Sequence, residues 1–342
     1  MVTIIVSNRI HDEVRERLAQ YGTVDMNPAL EPWSAKELAA HAANADAMMG
    51  FMTDCVDAAL LNAAPKLRIV ACALKGFDSY DVNACTRAGV WVSIVPDLLT
   101  EPTAELALGL GISLARHVMQ GDATIRREPF KGWRAQFYGT GLHGSVAAVI
   151  GLGHVGRAIV DRLRGFGCAR ILGVDTVVAP PGVEAVALND AMAQADYVFV
   201  AVPLTSQSLH LIGAAQLALA KPGQLMINVG RGSVVNEDAV ADALHTGKLS
   251  GYAADVFACE DWALPDRPTA IPQRLLAHPA TLFTPHIGSA VRRVRMAIEH
   301  RAADNIIAVL EGREPADAIN VPSRVAAAAI AAMAPTITLS RD

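Results

Sequence analysis

The 342-residue chain has few aromatic rings, 5% Phe, Trp and Tyr, and little charge, 18% Asp, Glu, Lys and Arg. Its five cysteines, Cys55, Cys72, Cys85, Cys168 and Cys259, form no CxxC pair. That spacing encodes neither a disulfide framework nor a zinc site, so they read as small core residues in a reducing compartment, and no metal is expected. There is no basic excess: 29 Lys and Arg stand against 34 Asp and Glu, formal net charge −5, which leaves no face for nucleic acid. Long apolar runs are missing too; the longest late one, residues 325–335, is Ala-rich and far too short for a bilayer. The opening MVTIIVSN has no basic lead-in and reads as a first strand, not a signal peptide. A cytoplasmic protein with no membrane partner is expected.

What the chain does have is 52% hydrophobic residues, much of it Ala, Val, Ile and Leu, the composition of buried parallel strands and closely packed helices. Its length is about twice a typical domain. The fold class expected is α/β, with two Rossmann-like or flavodoxin-like parallel-sheet domains and an active-site cleft between them.

The most informative stretch is residues 145–167, SVAAVIGLGHVGRAIVDRLRGFG, which reads as a buried strand, a glycine turn and a helix. Gly151 makes the tight turn, Gly153 lets backbone approach a pyrophosphate, and Gly156 lets the helix lie close on the strand. The helix N-terminus suits the phosphates. Asp175 lies 175 − 156 = 19 positions past the last glycine, the distance at which a carboxylate meets an adenine ribose.

Before it, residues 1–95 alternate short apolar runs with amphipathic segments, implying a parallel sheet of their own. No glycine fingerprint follows the first strand, so this part is expected to hold what the dinucleotide reacts with. A helix begins near residue 99 with Thr100 as N-cap. Residues 120–144 are irregular and gather Phe130, Trp133, Phe137 and Tyr138, as an oligomer contact, a lid or an ordered loop. Beyond the fingerprint come the strands ILGVD, DYVFVAVP, QLMINVGRG, YAADVF and ATLFTP, with AVAL as a connection. Ligands in such sheets bind at the carboxyl ends of strands, which singles out Asp175, Val202, Pro203, Val229, Arg231, Asp255, Glu260 and His286. The expected division is residues 1–98 with 286–316 for substrate, 99–285 for dinucleotide, and a tail, 317–342, either a packed helix or a mobile end.

Arg231 in NVGRGSVV, Glu260 in DVFACED and His286 in TPHIGS carry the chemistry. A carboxylate beside a buried imidazole favours its charged form and readies it as an acid or base, and a guanidinium grips an oxyanion in two places. Singly each residue is more often structural. Together at strand ends they point to catalysis.

With those motifs in that order the chain resembles the D-2-hydroxyacid dehydrogenase superfamily over roughly residues 1–316. Within it, CALKGFDSYDVNAC, GVWVSIVPDLLTEPTAELALGL, FYGTGL, GYAADVFACEDW and LFTPHIGSAVRRVR are similar to the phosphite (phosphonate) dehydrogenases. The resemblance implies oxidation of phosphite to phosphate with NAD. It also implies that Lys75, Gly76 and Arg231 hold phosphite, with Met52 and Leu99 lining the pocket and Ser289 and Arg295 as further polar groups. Thr103, His154, Val155, Asp175 and Asp255 then contact cofactor. His286, paired with Glu260, acts as base toward water, and Trp133 and Tyr138 lie in an arm shared across a homodimer. Lys75 distinguishes this reading, because the ordinary family loop is apolar there; the alternative is a merely exposed lysine. Two departures from the family stand out: Asp175 ends a strand one residue longer than the family's, and His154 replaces a small residue common there. The competing readings are a 2-hydroxyacid dehydrogenase or glyoxylate reductase, with His286 protonating a carbonyl oxygen, and a catalytically silent NAD sensor or corepressor.

Overall fold

A computed structural model describes residues 1–323, and these divide into two compact units, one of Met1–Leu98 with the described residues from Arg292 onward, the other Leu99–Val291. The return point is Arg292, six residues later than the sequence suggested (292 − 286 = 6), so His286 stays with the second unit.

The first unit holds β1 (Thr3–Val6), β2 (Thr23–Met26), β3 (Ala47–Gly50), β4 (Ile69–Cys72) and β5 (Trp91–Ser93), all parallel, in the order β2-β1-β3-β4-β5. This is the flavodoxin-like order, with its switch point between β1 and β3. Helices are set by local chemistry: Asp57 and Asp81 accept the Leu60 and Ala84 N–H as N-caps, and Gly89 ends the second of these helices in the left-handed conformation. The helix Arg292–Leu310 buries Ile298, Ala302, Ile306 and Val309 against β3 and β4.

The second unit holds β6 (Val146–Ile150), β7 (Arg170–Val174), β8 (Glu184–Ala185), β9 (Tyr197–Val200), β10 (Leu225–Asn228), β11 (Gly251–Ala254) and β12 (Thr281–Phe283). All are parallel, in the order β12-β11-β10-β9-β6-β7-β8. This is the doubly wound Rossmann order with one added strand, reversing between β6 and β9. Ile150, Val198, Val200, Met226 and Tyr252 enter the core on one face, while Val149, Phe199, Ile227 and Ala253 enter it on the other. Covering on both faces is why these strands are continuously apolar in sequence.

Four local expectations are corrected. The helix Thr100–Ala115 is preceded by Leu99 at the N-cap with no side-chain cap, and the Thr100 hydroxyl is buried without a hydrogen-bond partner. Residues 118–127 are a helix with no buried residue, followed by a segment whose Trp133 and Tyr138 are 77% and 78% exposed. The stretch around AVAL includes the short strand β8. Of the cysteines, none of which is in a disulfide, only Cys72 and Cys85 are buried, and Cys55 is exposed.

The tail starts later than residue 317. Ala318 bridges Ser93 in antiparallel fashion, Ile319 N–H donates to Val92 O at 2.9 Å, and Asn320 Oδ1 accepts the Val92 N–H at 2.7 Å. Residues 324–342, including the Ala-rich run, lie outside the described residues. Among those described, no helix is long and apolar enough to cross a membrane.

Candidate active site

The glycine turn sits at the carboxyl end of β6, beside the switch point. Gly151 has φ +93°, and a Cβ there would lie 2.7 Å from Ala201 O, so both conformation and space demand glycine. At Gly156 a Cβ would collide with the Gly151 carbonyl. Gly153 differs: it opens the helix His154–Gly165 with an ordinary φ of −69°, and a Cβ would meet nothing within 4 Å. No protein neighbour requires glycine there, whereas a dinucleotide resting on the helix N-terminus does, so this turn fits the cofactor. His154 and Val155 form the first helical turn.

Asp175 follows β7 and is exposed. Its carboxylate accepts Leu152 N–H of the glycine turn through Oδ2 and Thr176 and Val177 N–H through Oδ1, at 2.6 and 3.1 Å. Burial pushes this carboxyl up, but the backbone donors outweigh it and hold it below the usual aspartate value. The result is an ionised acceptor fixed next to the turn. Val202 and Pro203 continue β9, with Val202 Cγ2 3.0 Å from where a Gly151 Cβ would stand, and Val229 is buried at the end of β10.

Asp255, past β11, is buried, and each of its oxygens is engaged. Oδ1 accepts the Thr284 hydroxyl at 2.6 Å and Ile287 N–H at 2.8 Å; Oδ2 accepts Gly288 N–H at 2.8 Å. Burial raises its pKa more than these donors lower it. Gly288 is also where Thr103 comes close: a Cβ would lie 3.1 Å from both Asp255 Oδ2 and Thr103 Oγ1. Thr103 in turn donates to Leu99 O at 2.7 Å. Asp255 thus braces the turn from Thr284 to Gly288, at whose centre His286 adopts a left-handed φ of +54°. Ser289 follows, its carbonyl accepting Val291 N–H at 2.8 Å.

His286 Nδ1 is 3.0 Å from Glu260 Oε1. The imidazole is 27% exposed, so it is not the buried group the sequence suggested; it is reachable. Glu260 Oε1 also accepts Phe257 N–H at 2.9 Å, which settles the carboxylate before it meets the ring. Arg231 sits in the turn after β10, where Asn228 donates through Nδ2 to Arg231 O at 3.0 Å and accepts Gly230 N–H at 3.1 Å. An imidazole, a carboxylate and a guanidinium therefore stand at neighbouring strand ends, β12, β11 and β10, within one unit.

The sequence did not reveal Asn228, Gly232, Glu237, Asp261 and Thr284. Glu237, Asp261 and Gly232 meet backbone of another segment, Asn228 bonds the backbone of its own turn and Thr284 donates to Asp255, and only the strand-end position of Asn228 and the Asn236–Glu237 start of a helix were visible signals.

In the first unit, the loop after β4 carries Lys75 and Gly76, and Cys72 donates through Sγ to Gly76 O at 3.5 Å. Lys75 is half-buried, not a merely exposed lysine: burial lowers its pKa, opposed by Asp97. Met52 lies beyond β3 in a turn tied by Asp54, whose Oδ2 accepts Phe51 N–H at 2.7 Å. The Arg295 guanidinium stands 6.0 Å from the Phe51 ring centroid, and burial lowers its pKa against the opposing pull of Glu299 and Cys72. Two partly desolvated cations belong to this unit.

Residues 108–288 match the family described as D-isomer specific 2-hydroxyacid dehydrogenase, NAD binding domain. The chain is 34% identical over 285 residues to a glyoxylate reductase of Thermococcus litoralis, covering 80% of this chain and 83% of the relative. It is 32% identical over 326 residues to a glyoxylate reductase of Aeropyrum pernix, covering 93% and 95%. Among solved structures, the TT0316 protein from Thermus thermophilus is similar with a TM-score of 0.87 at 30% identity, covering 93% of this chain and 100% of that one.

Proposed function

The chain belongs to the D-isomer specific 2-hydroxyacid dehydrogenase family of NAD-dependent oxidoreductases, and on that footing we propose that it is a phosphite (phosphonate) dehydrogenase. The supporting observation is Lys75, a half-buried lysine in the loop after β4 whose pKa is lowered by burial and held up in part by Asp97. Phosphite at neutral pH is largely a dianion, and a dianion withdrawn from water calls for two cations where a carboxylate calls for one.

In the first unit Lys75, Gly76, Met52 and Arg295 are assigned to substrate; in the second, Leu99, Arg231 and Ser289. Gly151, Gly153, His154, Val155, Gly156 and Asp175 are assigned to the cofactor, together with Thr103, Val202, Pro203, Val229 and Asp255. Bound NAD supplies the hydride acceptor. The chain's own groups do the rest: Lys75 and Arg231 offset charge on the phosphite oxygens, and His286 takes the proton of the water that attacks phosphorus. Glu260 holds the ring through Nδ1, leaving Nε2 for that proton. The exposed Trp133 and Tyr138 support the further proposal of a homodimer formed through residues 128–141.

A second reading, reduction of glyoxylate with His286 protonating the carbonyl oxygen, is favoured by the names of the relatives from Thermococcus litoralis and Aeropyrum pernix. Initial rates separate the two: NADH formation from phosphite and NAD against NADH consumption with glyoxylate. A higher kcat/KM for phosphite is expected. Brisk glyoxylate reduction with no phosphite oxidation would replace the first reading with the second.

A further inference from the structure

Two buried carboxylates that the proposed chemistry does not use lie behind the Arg231 and Glu260 turns. Asp261, 4% exposed, directly follows Glu260 and accepts Ser233 N–H from the Arg231 turn at 2.6 Å. Glu237, 6% exposed, opens the helix Glu237–His245 after the Arg231 turn and accepts Ala258 N–H from the Glu260 turn through Oε1 at 2.8 Å. Each turn therefore lends a carboxylate to the backbone of the other. The surfaces are in contact between these bonds as well, because a Cβ on Gly232 would collide with the Phe257 and Ala258 backbone.

Such an arrangement is a poor way to gain stability. Burial pushes Glu237 up to about 6 and raises Asp261 above the usual aspartate value, despite the N–H groups that both accept. Apolar residues of the same volume commonly stabilise as well or better. What an apolar pair lacks is direction, since a carboxylate oxygen fixes the line along which a backbone N–H approaches.

We propose that Glu237 and Asp261 are positioning residues: by clasping the Arg231 turn and the Glu260 turn to each other, they set the guanidinium-bearing backbone against the His286–Glu260 pair. This rests on the catalytic assignment of Arg231, Glu260 and His286 made above. Neither carboxylate touches substrate. Their effect is carried through Ser233 and Ala258.

The test uses the full-length protein with Glu237→Met, which keeps length but loses the acceptor, Asp261→Ala, the double variant, and the acceptor-retaining Glu237→Gln and Asp261→Asn. Steady-state rates are measured with phosphite and NAD and with glyoxylate and NADH. The ring-nitrogen NMR signals of His286, which follow its bond to Glu260, are recorded without substrate. Glu237→Met and Asp261→Ala are each expected to lower kcat about tenfold or more while the KM for cofactor stays within about twofold. The double variant should fall little below the worse single one, because both bonds lock one joint. The amide variants should recover to within about threefold of wild type, since an amide oxygen accepts the same N–H. The His286 signals should move in the acceptor-lacking variants and return in the amides.

Folded acceptor-lacking variants with kcat near wild type, or amide variants as poor as they are, overturn the proposal. Where one acceptor-lacking variant does not fold, the variant at the other site and the two amides decide by the same criteria. If wild type oxidises no phosphite and reduces no glyoxylate, the functional reading fails by itself. The His286 signals then decide the clasp, and unchanged signals in both acceptor-lacking variants reject it.

Discussion

His286 Nδ1 and Glu260 Oε1 stand 3.0 Å apart, and the same glutamate oxygen is already held by Phe257 N–H. The imidazole is thereby presented by a carboxylate that cannot swing away freely, on a turn whose left-handed φ is secured by Asp255. His286→Ala should lower kcat by about a thousandfold, the range of a lost general base. Glu260→Gln, which can still accept Phe257 N–H but carries no charge, should fall between that and wild type. Both are checked by steady-state rates alongside circular dichroism. A His286→Ala enzyme running at the wild-type rate would reject the base assignment.

In the proposed reading, Lys75 decides between a dianion and a monoanion. Lys75→Met should weaken kcat/KM for phosphite by about 2 kcal/mol or more, the scale of a lost charge-assisted contact, and a 2-hydroxy acid such as D-glycerate much less. Equal losses for both substrates would show that Lys75 does not select charge. A pH effect follows from the same residue. Burial lowers the ammonium pKa, so its proton leaves at lower pH than from an ordinary lysine, and phosphite use should decline on the alkaline side. Lys75→Arg, charged throughout, should move that decline upward in a pH series of kcat/KM.

Asp175 is an ionised acceptor braced by Leu152, Thr176 and Val177 N–H. A negative group at this place accepts from the ribose hydroxyls of NAD and repels the 2′-phosphate of NADP. Asp175→Ala should therefore narrow the NAD preference by about tenfold, measured as the ratio of kcat/KM for the two cofactors. A wild-type enzyme using both equally would remove the residue from that role.

Glu237 makes stability depend on pH in a window set by its environment. Burial, with Asp261, Asp238 and Glu260 nearby, lifts its carboxyl from 4.5 to about 6. The folded state thus prefers the protonated form: the stability it lends is full below pH 4.5 and is lost as pH rises through about 6. Above that, wild type should lie about 2 kcal/mol below Glu237→Gln relative to their difference at low pH, because the carboxyl titrates at 4.5 in the unfolded chain and about 6 in the folded one. Urea unfolding of both proteins across this range measures it, and parallel stability curves would contradict it.

The local parts of the site were legible because their signals are local. Gly151, Gly153 and Gly156 follow a buried strand at fixed spacing, and Arg231, Glu260 and His286 each end an apolar run. What escaped the sequence depends on partners that leave no pattern. Glu237 and Asp261 bond to backbone N–H groups of other segments, and any residue but proline supplies such a donor. The helix Val118–Arg127 escaped because Gly121, Asp122 and Thr124 are weak helix formers and the segment buries no residue. Thr100 was taken as the cap on residue type, yet its hydroxyl does not cap the helix and Leu99 precedes the first turn.

The short return of the chain along β5 matters for handling the protein. β5 is one of the two edge strands of the first sheet, and an unprotected edge strand is a template for recruiting other chains into aggregates. Here Asp317 O accepts Ile94 N–H, Asn320 Oδ1 accepts Val92 N–H, and Ile319 donates to Val92 O, so residues 317–320 act as a selvedge that keeps the border from fraying. A truncation or tag junction placed at residue 316 would strip that border and favour clumping at high concentration even with the catalytic groups intact, whereas one placed after residue 323 would leave it sewn.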